Sequence, residues 1–229
     1  MTSVAANLQH VRQRIAAACA QADRPVQAIT VLAVSKTFGA DVVRQAHAAG
    51  LYAFGENYVQ EALAKIDALA DLRPQIEWHM IGPLQGNKTR DVARSFDWVH
   101  TVDRLKIAQR LAEQRPDHLP PLQLCLQVNL SGEASKSGLA PGEVAPLAHI
   151  IAKLPRLTLR GLMSIPEPAS SFEAQRAPHS QLRKLLDQLN QDGLMLDTLS
   201  MGMSADMEAA IVEGATMVRI GSALFGQRG

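Results

Sequence analysis

Of the seven lysines in the chain, Lys36 alone directly follows an apolar, β-branched run, Ile29-Thr30-Val31-Leu32-Ala33-Val34-Ser35. An ammonium at the end of a buried strand pays for desolvation, which lowers its pKa and frees the amine as a nucleophile toward a carbonyl. A plainer role stands beside that one: pairing with a carboxylate such as Glu56, or reaching out to solvent. Lys65, Lys106, Lys153 and Lys184 fall in helical stretches that alternate apolar and charged positions, so they are expected on solvated faces. Lys88 opens a helix and Lys136 lies in the Ser/Gly-rich stretch 131–138.

A second constellation lies near the end of the chain. Ser200-Met201-Gly202-Met203-Ser204 closes a strand and opens a helix, and Arg219-Ile220-Gly221-Ser222-Ala223 follows another strand. Glycines at 202, 221 and 226 let backbone N–H groups approach a ligand, and serine hydroxyls at a short helix start can join them around a phosphate. Ser204 also fits as a plain N-cap of helix 205–213. Asp206 and Glu208 in that first turn would oppose an anion, which leaves Gly221 and Ser222 as the stronger phosphate contacts. A nucleophilic lysine and a phosphate cradle together describe a site for a phosphorylated aldehyde.

Other chemistries lack their residues. Gln227 stands where a Walker A loop needs lysine, and no His-Glu-x-x-His pair offers a metal site. The stretch 202–206 misses the second glycine of a nucleophile elbow. Trp78 and His79 alternate on a strand, so either could face inward, and His79 reads first as a core histidine. Cys19 and Cys125 belong to no Cys-x-x-Cys pair; a single disulfide is formally allowed, but both sit in apolar stretches and are expected as buried thiols.

The elements that must hold these residues alternate. Strands are expected at 29–34, 51–54, 76–80, 97–100, 122–129, 157–163, 198–201 and 217–220. Helices are expected near the N-terminus and at 41–49, 57–69, 86–95, 104–114, 142–153, 171–191 and 205–213. Strands apolar on both faces belong to a parallel sheet covered by helices. Eight strands in 229 residues fit one α/β (β/α)8 barrel over 1–229 with an extra helix in front. An open doubly wound sheet is the alternative, but Val34-Ser35-Lys36-Thr37-Phe38-Gly39 is no Gly-x-Gly-x-x-Gly turn. In a barrel, Lys36 and the two glycine-serine loops share the C-terminal face of the strands.

Composition narrows the partners. Lys+Arg 23 against Asp+Glu 22, with 4% aromatics, gives neither the basic face nor the stacking rings of a nucleic-acid binder. No apolar run reaches the length of a membrane span, and Met1–Ala20 lacks the apolar heart of a signal peptide. A cytoplasmic protein is expected.

Six blocks carry a family resemblance: AVSKT at 33–37, FGENYVQE at 54–61, WHMIGPLQGNK at 78–88, LRGLM at 159–163, LSMGMSADME at 199–208 and VRIGS at 218–222. They resemble the pyridoxal phosphate homeostasis proteins, stand-alone relatives of the alanine racemase barrel (fold-type III). Gly86 and Ser222 depart mildly from the family pattern, and Ser222 keeps the hydroxyl of the usual threonine. The resemblance implies pyridoxal 5′-phosphate as cofactor, held as an aldimine on Lys36. Ser204, Gly221 and Ser222 would hold its phosphate, Arg219 would face the pyridine nitrogen, and Asn57, His79 and Met201 would line the pocket. It implies a monomeric carrier that passes the cofactor to apo-enzymes. An amino-acid racemase and a lysine-imine enzyme for a phosphorylated sugar are the alternatives, the latter fitting the spacing but not the blocks. Two-base racemisation needs a second acid/base group, which the related racemase takes from a partner's tyrosine, with a C-terminal β-domain helping to form the dimer. Here the chain ends nine residues after the last strand and holds only Tyr52 and Tyr58, so no substantial catalysis is expected.

Overall fold

A computed structural model describes residues 3–131 and 137–226, so Lys136 and Gln227 lie outside the described residues. Eight parallel strands close on themselves in chain order: β1 (Thr30–Val34), β2 (Ala53–Glu56), β3 (Glu77–Met80), β4 (Trp98–Val102), β5 (Leu122–Val128), β6 (Leu157–Ser164), β7 (Thr198–Met203) and β8 (Met217–Ile220). β8 pairs with β1 from Thr30↔Met217 to Ala33↔Ile220, completing the (β/α)8 barrel.

Helices α1 (Val4–Gln21), α2 (Ala40–Ala48), α3 (Val59–Ala68), α4 (Thr89–Ser95), α5 (Leu105–Gln114), α6 (Pro141–Ile151), α7 (Phe172–Gln191), α8 (Met207–Val212) and α9 (Ser222–Phe225) surround it. The one-turn α9 carries no periodic signal in the sequence, because four residues cannot show one. The extra helix α1 starts where Ser3 accepts a hydrogen bond from the Ala6 N–H at 3.2 Å. It buries Leu8, Val11, Ile15, Ala18 and Cys19, a three-and-four spacing that keeps them on one face.

Every residue of β2, β4 and β8 is buried, as expected for strands packed by helices outside and side chains within. Gly161 lets β6 and β7 close up, because a Cβ there would overlap the Thr198 carbonyl opposite it in register. β2 runs from 53 to 56 rather than 51 to 54, since Glu56 ends the strand fully buried in an ion pair that the pattern of apolar residues does not reveal. Both cysteines are free and buried, and burial pushes the Cys125 thiol up to about 12.

Candidate functional site

The C-terminal ends of the strands open into a cavity of about 530 Å³ whose wall includes Lys36, Asn57, Ser204, Arg219, Gly221 and Ser222. Six of the eight anticipated residues thus meet at one place. Val34, Phe38, Ile81, Ile165 and Met203 supply apolar wall between them.

Met201 and His79 are not on that wall, which corrects their placement as pocket-lining residues. Successive side chains of a strand point to opposite sides. Ser200 turns inward, so Met201 turns outward into the main hydrophobic core, fully buried. His79 does face the barrel interior, but it pairs in register with Trp98, the first residue of β4, and so lies well below the mouth.

Lys36 stands two residues past β1, between neighbours that are tied down on both sides. The Ser35 hydroxyl donates to Glu56 Oε1 at 2.6 Å, and Lys65 Nζ donates to the Ser35 carbonyl at 2.8 Å. The Thr37 N–H donates to Glu61 Oε1, which also accepts from Lys65 Nζ. Thr37 itself sits at φ 69°, a left-handed conformation costly for a β-branched residue, held by this cluster. The expectation that Lys65 lies on a solvated face is therefore corrected: its side chain is 6% exposed and pairs with Glu56 at 2.8 Å and Glu61 at 2.6 Å. Glu56 takes Lys65 as its partner, and burial pushes its carboxyl up while Lys65 and Ser35 pull it down. The helical spacing of Glu61 and Lys65 was the available clue; what it could not reveal was that this face of α3 packs beneath the strand ends.

On the far side of the mouth, the Ser204 and Ser222 hydroxyl oxygens lie 3.5 Å apart. Ser204 is not the N-cap residue of α8; Asp206 is. The two acids that would oppose an anion are already engaged. Asp206 accepts from the Met203 N–H at 2.7 Å and meets His179 Nε2 at 3.0 Å. Burial would raise its carboxyl, but these hydrogen bonds outweigh that and hold it below its ordinary value. Glu208 is paired with Arg14 of α1 at 2.6 Å, and the same guanidinium donates to the Ser204 carbonyl at 3.0 Å. The N-terminal helix thus buttresses the cradle.

Arg219 is 5% exposed, and burial brings its guanidinium down to about 10, so it remains a cation at neutral pH. It donates to the Ser200 carbonyl at 2.6 Å, the Ser200 hydroxyl at 3.0 Å and the Ser164 carbonyl at 2.8 Å. Opposite, Gly82 lies against the Asn57 backbone, where any Cβ would overlap it. Among the described residues, the buried Asn57 Oδ1 has no hydrogen-bond partner. Cationic, hydroxylic and amide groups with one orphaned oxygen on the wall fit a polar, anionic, ring-bearing ligand such as pyridoxal phosphate.

Beneath the cavity, His79 and His100 are fully buried and hydrogen-bonded to each other at 2.9 Å. Burial lowers the pKa of both, and the His79 ring and the Arg219 guanidinium beside His100 disfavour a proton on it further. In the unfolded chain an imidazole takes its proton near pH 6.5, while these two stay neutral in the fold, so the unfolded state binds the extra protons. Stability is expected to be level above about pH 6.5 and to fall below it, by up to about 1.4 kcal/mol per pH unit for each histidine. Urea midpoints at pH 7.5, 6.5 and 5.5 check this, and a midpoint unchanged at 5.5 would contradict a neutral pair.

Comparison with known proteins adds a family to this geometry. Residues 6–229 match the family described as alanine racemase, N-terminal domain. The pyridoxal phosphate homeostasis protein of Pseudomonas aeruginosa is 60% identical over 100% of this chain and 97% of its own length, and that of Escherichia coli K12 is 51% identical over 100% and 98%. Among solved structures, PipY of Synechococcus elongatus with PLP bound superposes with a TM-score of 0.86 at 37% identity, covering 98% of this chain and all of its own. An alanine racemase of Clostridium difficile shares the fold, with a TM-score of 0.76 at 17% identity over 97% of this chain and 57% of that one. With a family match over nearly its whole length and relatives at half identity or better, this chain belongs to the alanine racemase N-terminal-domain family, among the pyridoxal phosphate homeostasis proteins.

Proposed function

We propose that this protein binds pyridoxal 5′-phosphate at the barrel mouth, covalently at Lys36, and holds it for apo-enzymes in the cytoplasm. Residues 1–229 act as one domain and as a monomer, without substantial catalysis. The observation that carries this reading is the convergence of one amine, two hydroxyls 3.5 Å apart and a buried guanidinium on one cavity. The homeostasis proteins at 51–60% identity and the PLP-bound PipY support it.

When bound, the cofactor supplies an aldehyde that condenses with primary amines and a ring that withdraws electrons. Lys36 offers the amine, positioned by the clamp on Ser35 and Thr37. Ser204 and Ser222 offer hydroxyls to the phosphate, beside the Gly221 backbone. Asn57 presents an unsatisfied amide oxygen. Arg219 only donates, so a ring nitrogen facing it stays unprotonated, which weakens electron withdrawal. Of the described residues on the cavity wall, only Lys36 and Arg219 are titratable, and an arginine near 10 does not shuttle protons at neutral pH. Tyr52 borders a different hollow with Arg73 and Gln123, at the opposite end of the barrel, and Tyr58 is 60% exposed.

The test incubates the full chain with pyridoxal phosphate, reduces it with borohydride and maps the tagged peptide by mass. The tag is expected on the peptide holding Lys36, with unreduced protein able to load an apo-enzyme. L-amino acids in deuterated water should show no Cα exchange near ordinary turnover of roughly 1 per second. A tag elsewhere, or turnover at that rate, overturns the reading.

A further inference from the structure

A file of polar side chains crosses the barrel interior from the cavity wall toward the opposite opening. Arg219 Nη1 donates to Ser200 Oγ at 3.0 Å, Ser200 Oγ lies 2.8 Å from His100 Nδ1, and His100 Nε2 lies 2.9 Å from His79 Nδ1. His79 Nε2 ends the file without a hydrogen bond among the described residues, and the Glu77 Oε2 carboxylate oxygen lies 3.7 Å away, on a side chain that is 52% exposed at the start of β3. Ser200, His100 and His79 are each 0% exposed, so no water competes for these bonds.

The two ends set one direction as the better satisfied for the bonds between them. A guanidinium has no acceptor, so Ser200 Oγ must accept from Arg219. Its single hydrogen has His100 Nδ1 as its acceptor in this file, which makes Nδ1 the unprotonated nitrogen. The His100 proton therefore sits on Nε2 and is given to His79 Nδ1, leaving the His79 proton on Nε2 toward the Glu77 carboxylate. The opposite direction would make Ser200 accept twice, which its lone pairs allow, but would leave its own hydrogen unused among these groups and turn a bare nitrogen toward a carboxylate. Donor at one end and acceptor at the other thus select the same pair of tautomers. Reversing the file would leave the Ser200 hydrogen without an acceptor among these groups and a bare nitrogen facing Glu77, so the arrangement acts as a strut.

We infer that Ser200, His100 and His79 are positioning residues that hold Arg219 at the cavity wall through a one-way hydrogen-bonded strut, both imidazoles being neutral Nε2–H tautomers. Burial disfavours the charged form of both rings, in keeping with this. Adding a proton at His79 Nδ1 would set donor against donor, and adding one at His100 Nδ1 would turn the Ser200 hydrogen out of the file. Trp98, stacked on His79 with ring centroids 5.4 Å apart, fixes the plane of the last ring.

The inference rests on the proposed cofactor site only for its effect on binding, so the test has two separate parts. In the first, ¹⁵N-histidine NMR of the full chain without cofactor reads the tautomers, with His79→Gln and His100→Gln assigning the signals. Two neutral Nε2–H rings are expected; an Nδ1–H ring or an imidazolium at pH 7.5 overturns the strut whether or not the cofactor binds. In the second, pyridoxal phosphate affinity is measured for Ser200→Ala, Ser200→Thr, His100→Leu and His100→Gln. Loss of the charge-assisted Arg219–Ser200 Oγ bond in Ser200→Ala, or of the Ser200–His100 bond that orients that hydroxyl in His100→Leu, is expected to weaken binding about tenfold. Threonine and glutamine, which keep a hydroxyl or an acceptor-donor pair, are expected to restore most of it. If His100→Leu does not fold, the Ser200 pair decides alone. Wild-type affinity in Ser200→Ala, or no rescue by Ser200→Thr, overturns the positioning role. A wild-type chain that binds no pyridoxal phosphate would instead remove the proposed function and leave the tautomer result standing.

Discussion

Lys36→Ala is expected to abolish borohydride-fixed pyridoxal phosphate while leaving the barrel folded. Lys36 lies half-buried at the mouth and outside the strands, so its loss removes an amine without opening a cavity in the core. The clamp formed by Glu56, Glu61 and Lys65 holds Ser35 and Thr37 by groups that do not include the Lys36 side chain. The unfolding midpoint should therefore stay within the roughly ±0.5 kcal/mol typical of substitutions outside the core. Lys65 cannot stand in for the missing amine, because its Nζ is already committed to Glu56, Glu61 and the Ser35 carbonyl. Ser204, Ser222 and Arg219 remain, so weak reversible binding should persist. Peptide mapping after reduction is the measurement. A cofactor tag at stoichiometric level on Lys65 or any other lysine of the variant would show that the amine had been misassigned.

What was legible in the sequence follows from the range over which each interaction acts. The alternation of strands and helices, and the place of Lys36 past an apolar run, are local, and the closed eight-stranded barrel agrees with them. The gathering of Lys36, Asn57, Ser204, Arg219, Gly221 and Ser222 on one cavity wall followed from a topological rule, that strand ends of a barrel share a face. Partnerships between distant positions were not legible. Lys65 looks like any other lysine of an amphipathic helix until α3 is seen to pack its face against Ser35 and Glu56. His100 and Ser200 are 100 positions apart, and nothing in either neighbourhood names the other. Met201 and His79 show a subtler limit. Belonging to a motif places a residue near the mouth, but strand parity and height in the barrel decide whether its side chain reaches it. Asp206 and Glu208, which argued against an anion when read alone, are answered by His179 and by Arg14, a residue nearly 200 positions away.

Arg219→Glu is expected to damage the fold as well as the site. In the native protein the guanidinium donates to the Ser200 and Ser164 carbonyls and to the Ser200 hydroxyl, joining β6, β7 and β8 behind the cavity wall. A carboxylate there would face two carbonyl oxygens with no donor of its own, in a place that is 5% exposed. Leaving buried acceptors unsatisfied costs about 1–3 kcal/mol each, and an unpaired buried charge adds to that, so a total loss of roughly 3–5 kcal/mol is expected. The pH dependence should identify the cause. Burial raises the pKa of the introduced carboxyl above its unfolded value of about 4.3. Its contribution to stability is therefore best at low pH, where the protonated acid can donate to one carbonyl, and is lost as pH rises through the raised value. The native protein slopes the other way, losing stability below about pH 6.5 as its unfolded histidines take up protons. The gap between the two proteins in urea midpoint should thus be widest above pH 7 and should narrow on acidification. A gap that stays constant with pH would mean that the carboxyl has found solvent, and a variant as stable as the native chain would mean that Arg219 does not join these strands.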